Sequence, residues 1–128
     1  NLYRILSPVS YFIREYGDLS NTNPLDREKI YTDTEKLNVS GIAGRDKLLL
    51  WIQNSESNWY NEYSNNEFEA VSGNITIPDT GLNCNAEITI YNPWTKDTIE
   101  KYTAMLNKTL NYLFKDLKRD LLILVKCK

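Results

Sequence analysis

The apolar positions of this chain change their period once, near Gly17. Before it, Leu2, Ile5, Leu6, Val9, Phe12 and Ile13 recur at helical spacing and form a single stripe. Ser7 and Pro8 supply an N-cap and a first-turn proline, and Gly17 supplies a stop. The pattern predicts a lead-in turn and then a helix over residues 8–16. Its stripe either covers a sheet of the same domain or belongs to the tail of a preceding one. Beyond Gly17 the helical period disappears. Residues 18–29 carry Asp18, Ser20, Asn21, Asn23 and Pro24 before a charged run, and they predict a linker or surface loop.

From residue 30 onward the apolar runs are short and bounded by turn residues. The most informative one is Leu48-Leu49-Leu50-Trp51-Ile52, entered from Gly44-Arg45-Asp46 and left through the polar stretch after Gln53. As a strand it sends Leu48, Leu50 and Ile52 to one face and Leu49 and Trp51 to the other, which predicts a central strand covered on both sides. Residues 36–40 alternate and end at Gly41 and Gly44. Residues 74–77 form a strand ended by Pro78, and 86–91 alternate again. Asn92-Pro93-Trp94-Thr95-Lys96-Asp97 is a strong turn from which 98–102 pairs back as a hairpin. Residues 109–114 and the doubly apolar 120–126 complete the set. A long polar loop holding Trp59, Tyr60, Tyr63 and Phe68 interrupts it over 54–73. The fold class expected is all-β, an antiparallel β-sandwich of about seven to eight strands with a short N-terminal helix.

Composition narrows the function. The 128 residues suit one domain with a real core and are too few for an α/β barrel. A net charge of -2 with no Lys/Arg block argues against a nucleic-acid partner. No run reaches membrane-span length and no signal peptide is visible, so no membrane partner is expected. The chain begins at Asn1 rather than Met, which suggests a piece of something larger. Histidine is absent, which removes the commonest general base and metal ligand together. The two cysteines, Cys84 and Cys127, sit at the ends of expected strands, where either one disulfide or two free thiols would fit. Nine Tyr and three Trp among many Asn and Thr give the look of an extracellular β-protein. Three glycosylation sequons begin at Asn38, Asn74 and Asn107, as many as chance supplies in so Asn-, Ser- and Thr-rich a chain.

A resemblance rests on the order of these segments: Leu48 to Asn54, a Trp-containing loop, Gly73 to Pro78, Gly81, an alternating strand into Tyr91-Asn92-Pro93-Trp94-Thr95, and a closing Arg119 to Leu124. The chain resembles the C-terminal β-sandwich domain that follows the catalytic barrel in some secreted bacterial glycoside hydrolases of the cellulase and mannanase type, a domain also labelled collagen-binding. The resemblance implies that residues 1–17 form a helix bridging to a preceding catalytic domain, 18–29 a linker loop and 30–128 the sandwich. It implies a covalently linked catalytic partner, secretion and polysaccharide degradation. The chain departs from the family after Trp94, where Thr-Gly is common and Thr95-Lys96-Asp97 stands here.

Catalysis by this chain is not expected. Glycoside hydrolysis needs two carboxylates facing each other across a sugar, and none of the 17 acidic residues lies in a context that suggests burial beside an apolar wall. Triads lack their histidine, and the five glycines are too scattered for a phosphate loop. No cofactor is expected. A structural calcium is an option without a motif, with Asp18, Asp79 and Asp97 in loops as its candidate ligands. Aromatic residues are the better lead, because sugar rings offer flat C–H faces edged by hydroxyls. Trp59, Tyr60 and Tyr63, flanked by Asn58, Asn61 and Glu62, form the candidate carbohydrate-binding set, with Trp94 beside Asn92 as a second platform. Bland alternatives stand beside each: Trp51 as core or a helix-covered face, Trp94 packing back on its hairpin, Trp59 plugging a sandwich end or contacting a neighbouring domain. The function expected is a non-catalytic accessory domain that binds polysaccharide or oligosaccharide through loop aromatics. The alternatives are a purely structural sandwich that stabilises the catalytic domain, or a protein-binding or adhesion module.

Overall fold

A computed structural model describes residues 14–17, 20–55 and 69–128. Among them the chain forms nine strands: β1 (Asn23–Pro24), β2 (Tyr31–Thr32), β3 (Leu37–Ala43), β4 (Lys47–Asn54), β5 (Val71–Ile77), β6 (Asn83–Tyr91), β7 (Thr98–Asn107), β8 (Leu110–Leu117) and β9 (Asp120–Cys127). They make a six-stranded sheet in the order β1-β3-β4-β9-β6-β7 and a three-stranded sheet in the order β2-β5-β8. Every pairing is antiparallel. The fold is the all-β sandwich that the alternating runs predict. The count exceeds seven to eight because β1 and β2 are two-residue strands, too short for any periodicity to show.

β4 lies between β3 and β9, and its two faces are buried in different cores. Leu48, Leu50 and Ile52 join Ile75, Ile77, Ile88, Ile90 and Ile123 between the sheets. Leu49 joins Leu122 and Leu124 of β9 on the outer face, where Tyr16 completes a second cluster and Trp51, Ile42 and Tyr91 pack partly buried around it. Tyr16 is 1% exposed, ends the helical residues 14–16, and precedes Gly17, whose φ of +95° is the left-handed stop expected there. Lys47 Nζ donates to the Tyr16 carbonyl at 3.1 Å and Lys126 Nζ to that of Glu15 at 2.6 Å. Two cations from β4 and β9 thus satisfy the final carbonyls of the helix and hold it against the sheet. Most of the predicted helix, residues 1–13, lies outside the described residues.

Several boundaries differ from the sequence pattern: β5 begins at Val71, inside the expected 54–73 loop, β6 begins at Asn83 and β8 runs on to Leu117. β3 continues through Gly41 to Ala43 instead of stopping. A Cβ on Gly41 would lie 2.6 Å from the Leu49 carbonyl oxygen, so glycine here permits close strand contact and does not end the strand. β7 runs to Asn107, five residues past the expected hairpin arm, because its pairing with β6 extends to Asn83. Within 18–29, Asn23 and Pro24 pair with Ala43 and Ile42 as an edge strand.

Cys84 on β6 and Cys127 on β9 are joined by a disulfide, 43 residues apart in sequence with Cα atoms 5.8 Å apart. It resolves the two options left by the sequence in favour of the cross-link.

Candidate functional site

The described part of the expected sugar site is the turn between β6 and β7. Asn92 builds it: its Oδ1 accepts from the backbone N–H of Trp94 at 2.9 Å and of Thr95 at 3.3 Å, while its carbonyl accepts from Lys96 N at 2.8 Å. Lys96 takes φ of +65°, the left-handed conformation that glycine adopts most easily. The position after Thr95 thus takes a left-handed backbone with a lysine in place. Asn92 Oδ1 is spent on turn geometry.

Trp94 is half-buried. The Arg119 guanidinium, from the β8–β9 turn, lies 4.4 Å from its ring centroid. Its Nε1 is buried with no hydrogen-bond partner among the described residues. Trp94 is thus held against the β8–β9 turn, not only against its own hairpin, and it lines an open groove of about 460 Å³. Ile99 at the start of β7, Tyr112 and Lys115 of β8, and Lys118 in the turn after it line the same groove. It sits where the edge strand of one sheet faces the edge strand of the other.

Tyr102 and Tyr112 add hydroxyls at this side of the sandwich. Burial pushes both phenols above their ordinary value of 10.0, and the Glu100 carboxylate pushes them further the same way. Near neutral pH both therefore stay protonated and can donate.

The remaining candidates fall in two groups. Asn58, Trp59, Tyr60, Asn61, Glu62 and Tyr63 lie outside the described residues. Trp51, read from sequence as core or as a helix-covered face, is half-buried on the outer face beside the cluster that Tyr16 completes, and its Nε1 donates to Asp120 Oδ2 at 2.9 Å. Of the calcium candidates, Asp79 Oδ1 accepts from Gly81 N at 2.9 Å, and Asp97 N donates to Thr95 Oγ1 at 3.3 Å. Among the described residues no three acidic or cysteine side chains come together as a metal-binding group.

The pattern gave no sign of Arg119, Tyr112 or Ile99 as neighbours of Trp94. Arg119 is 25 positions from Trp94, and only the β6–β9 pairing, Tyr91 opposite Leu122, brings them together. Alternation along β8 identifies Tyr112 as inward-facing but cannot show that the sheets part beside it.

Comparison with known proteins adds one finding about the fold. No family model and no curated protein matches the chain. A solved structure described as "Glycoside hydrolase" matches with a TM-score of 0.56 at 9% sequence identity, over 92% of this chain and 24% of that one. The chain therefore spans about a quarter of the length of the protein it is similar to, and at that identity the likeness is one of fold.

Proposed function

We propose that this chain is a non-catalytic accessory domain of an extracellular glycoside hydrolase and that it binds polysaccharide or oligosaccharide through surface aromatics. One observation carries the reading: the likeness takes in 92% of this chain but only 24% of a glycoside hydrolase chain. That is the proportion of an appended domain beside a larger catalytic one. The Cys84–Cys127 disulfide supports an oxidising compartment. Trp94 and Tyr112 line an open groove, and aromatic side chains are the kind that stack on sugar rings; the sequence adds Trp59, Tyr60 and Tyr63 to the candidates.

A second reading has its own support. The outer face of the six-stranded sheet carries Leu49, Leu122 and Leu124 with Trp51, Tyr91 and Ile42 around them, under the end of the 14–16 helix. An apolar outer face met by a helix entering from the N-terminal side suits a sandwich whose work is to pack on and steady a catalytic domain.

Affinity electrophoresis and calorimetry of the 128-residue chain against mannan, xylan, cellulose and soluble oligosaccharides separate the two. Binding that is lost in Trp59→Ala or Trp94→Ala, with the thermal unfolding of each variant still cooperative, supports the first. No interaction with any glycan leaves the structural domain standing.

A further inference from the structure

The outer face of the six-stranded sheet is buried more completely than Tyr16 alone explains. Leu122 is 0%, Leu124 4% and Leu49 9% exposed. Among the described residues, Tyr16 is the one member of their cluster that comes from outside the sheet. It is anchored at one end of the face. Lys47 Nζ donates to its carbonyl and lies 4.5 Å from its ring centroid, while Lys126 Nζ donates to the carbonyl before it. Lys47 and Lys126 pair in register, followed along the same face by Leu49 with Leu124 and then Trp51 with Leu122. Leu122 is four residues from Lys126, about 13 Å along the strand, beyond what one ring seated at the lysines can cover. Trp51 and Tyr91 flank Leu122 within the sheet and are themselves half-buried.

The rotation of the helical residues 14–16 identifies the cover. Arg14 and Glu15 are exposed and Tyr16 is buried, which fixes the side that faces the sheet. On the same helix continued upstream at about 100° per residue, Val9, Phe12 and Ile13 fall within about 60° of Tyr16, and Ser10 and Tyr11 fall with Arg14 and Glu15 on the opposite side. A helix over residues 8–16, as the Ser7-Pro8 start predicts, is about 13 Å long and matches the distance from Lys126 to Leu122. We propose that the chain's own residues 8–13 occupy this face, with Phe12 and Ile13 on Leu122 and Trp51 and Val9 beyond them, as a third layer of the sandwich. The leucines are then closed to a second domain. A neighbour on this side meets the Ser10, Tyr11, Arg14 and Glu15 side of the helix instead, which narrows the structural reading above and is independent of glycan binding.

Nuclear Overhauser measurements on the unaltered 128-residue chain test the seat directly, with contacts expected from Phe12 and Ile13 to Leu122 and Trp51. Phe12→Ala lowers the midpoint of thermal unfolding by at least about 5 °C, whereas Arg14→Ala, on the solvent side, moves it by less than about 2 °C. The double variant Phe12→Ala/Leu122→Ala loses less than the sum of the two single losses, because both side chains belong to one contact. Absence of the Overhauser contacts, a Phe12→Ala midpoint no lower than that of Arg14→Ala, or an additive double variant overturns the inference. The contacts are read without any substitution, so a variant that fails to fold leaves the test decisive.

Discussion

Leu49 and Leu50 are adjacent in β4, point to opposite faces of the six-stranded sheet, and are 9% and 1% exposed. In β8 of the three-stranded sheet, Phe114 is 4% exposed while its neighbour Leu113 is 66% exposed, on a wet face shared with Tyr31, Thr76 and Asn111. The six-stranded sheet is closed on both sides at its centre, around β4 and β9, and the three-stranded sheet is closed on one. The difference follows from what each outer face carries. β4 and β9 put Leu49, Leu122 and Leu124 there, and Tyr16 covers them. β5 and β8 put Asn74, Thr76 and Asn111 there, and these bond to each other, Thr76 Oγ1 donating to Asn111 Oδ1 at 2.7 Å. The doubly covered sheet holds the molecule together, and the open groove lies where it meets the thinner sheet.

The disulfide lies wholly in the six-stranded sheet, and its removal should have the largest effect on this contrast. Cys84→Ser/Cys127→Ser should lower stability by about 4 kcal/mol in denaturant titration, the loop-entropy value for a cross-link of 43 residues. A loss below about 1 kcal/mol would mean that the β-pairing alone already restrains β6 and β9.

The next test concerns the outer face itself. Leu122→Ala should cost about 3 kcal/mol, similar to Leu50→Ala between the sheets, whereas Leu113→Ala should stay within about 0.5 kcal/mol. If Leu122→Ala proves as mild as Leu113→Ala in urea unfolding, the second core does not exist and the two sheets are alike.

At the groove, Lys96→Gly should raise stability by about 1 kcal/mol, since glycine takes the left-handed conformation of φ +65° without a Cβ penalty. A fall in the midpoint of unfolding would show that the Lys96 side chain contributes more than its backbone strain costs.

The smallest effect is alkaline. Tyr102 and Tyr112 keep their protons to higher pH when folded, because burial, then Glu100, disfavours the phenolate. The stability they contribute is full below about pH 10 and declines as pH rises through the folded values. Tyr112→Phe should flatten that decline in thermal unfolding followed from pH 9 upward, and an unchanged slope would place the titration elsewhere.

How far the chain could be read beforehand depended on whether the relevant signal was local. Alternation in β3 and β6 was visible because side-chain direction in a strand has a fixed period of two. The two-sided apolar character of Leu48 to Ile52 and Leu121 to Val125 identified the central strands for the same reason. The left-handed conformation of Lys96 was not legible, because the sequence marks 92–97 only as a turn. The candidate site was less legible. Trp94 was singled out, but as a platform beside Asn92, and Asn92 proved to be occupied in shaping the turn. Its actual ring partner, Arg119, comes from another hairpin end.

The sequence by itself determined the class of fold and the strands that would be buried on both faces. Those are properties of composition and of short-range period. The tertiary structure decided which cysteine option was taken, that β9 would lie between β4 and β6, and that Lys115, Lys118 and Arg119 would rim a groove floored by residues of both sheets. Strand order and the meeting of turns are long-range matters, set by how two faces pack, and no local pattern encodes them.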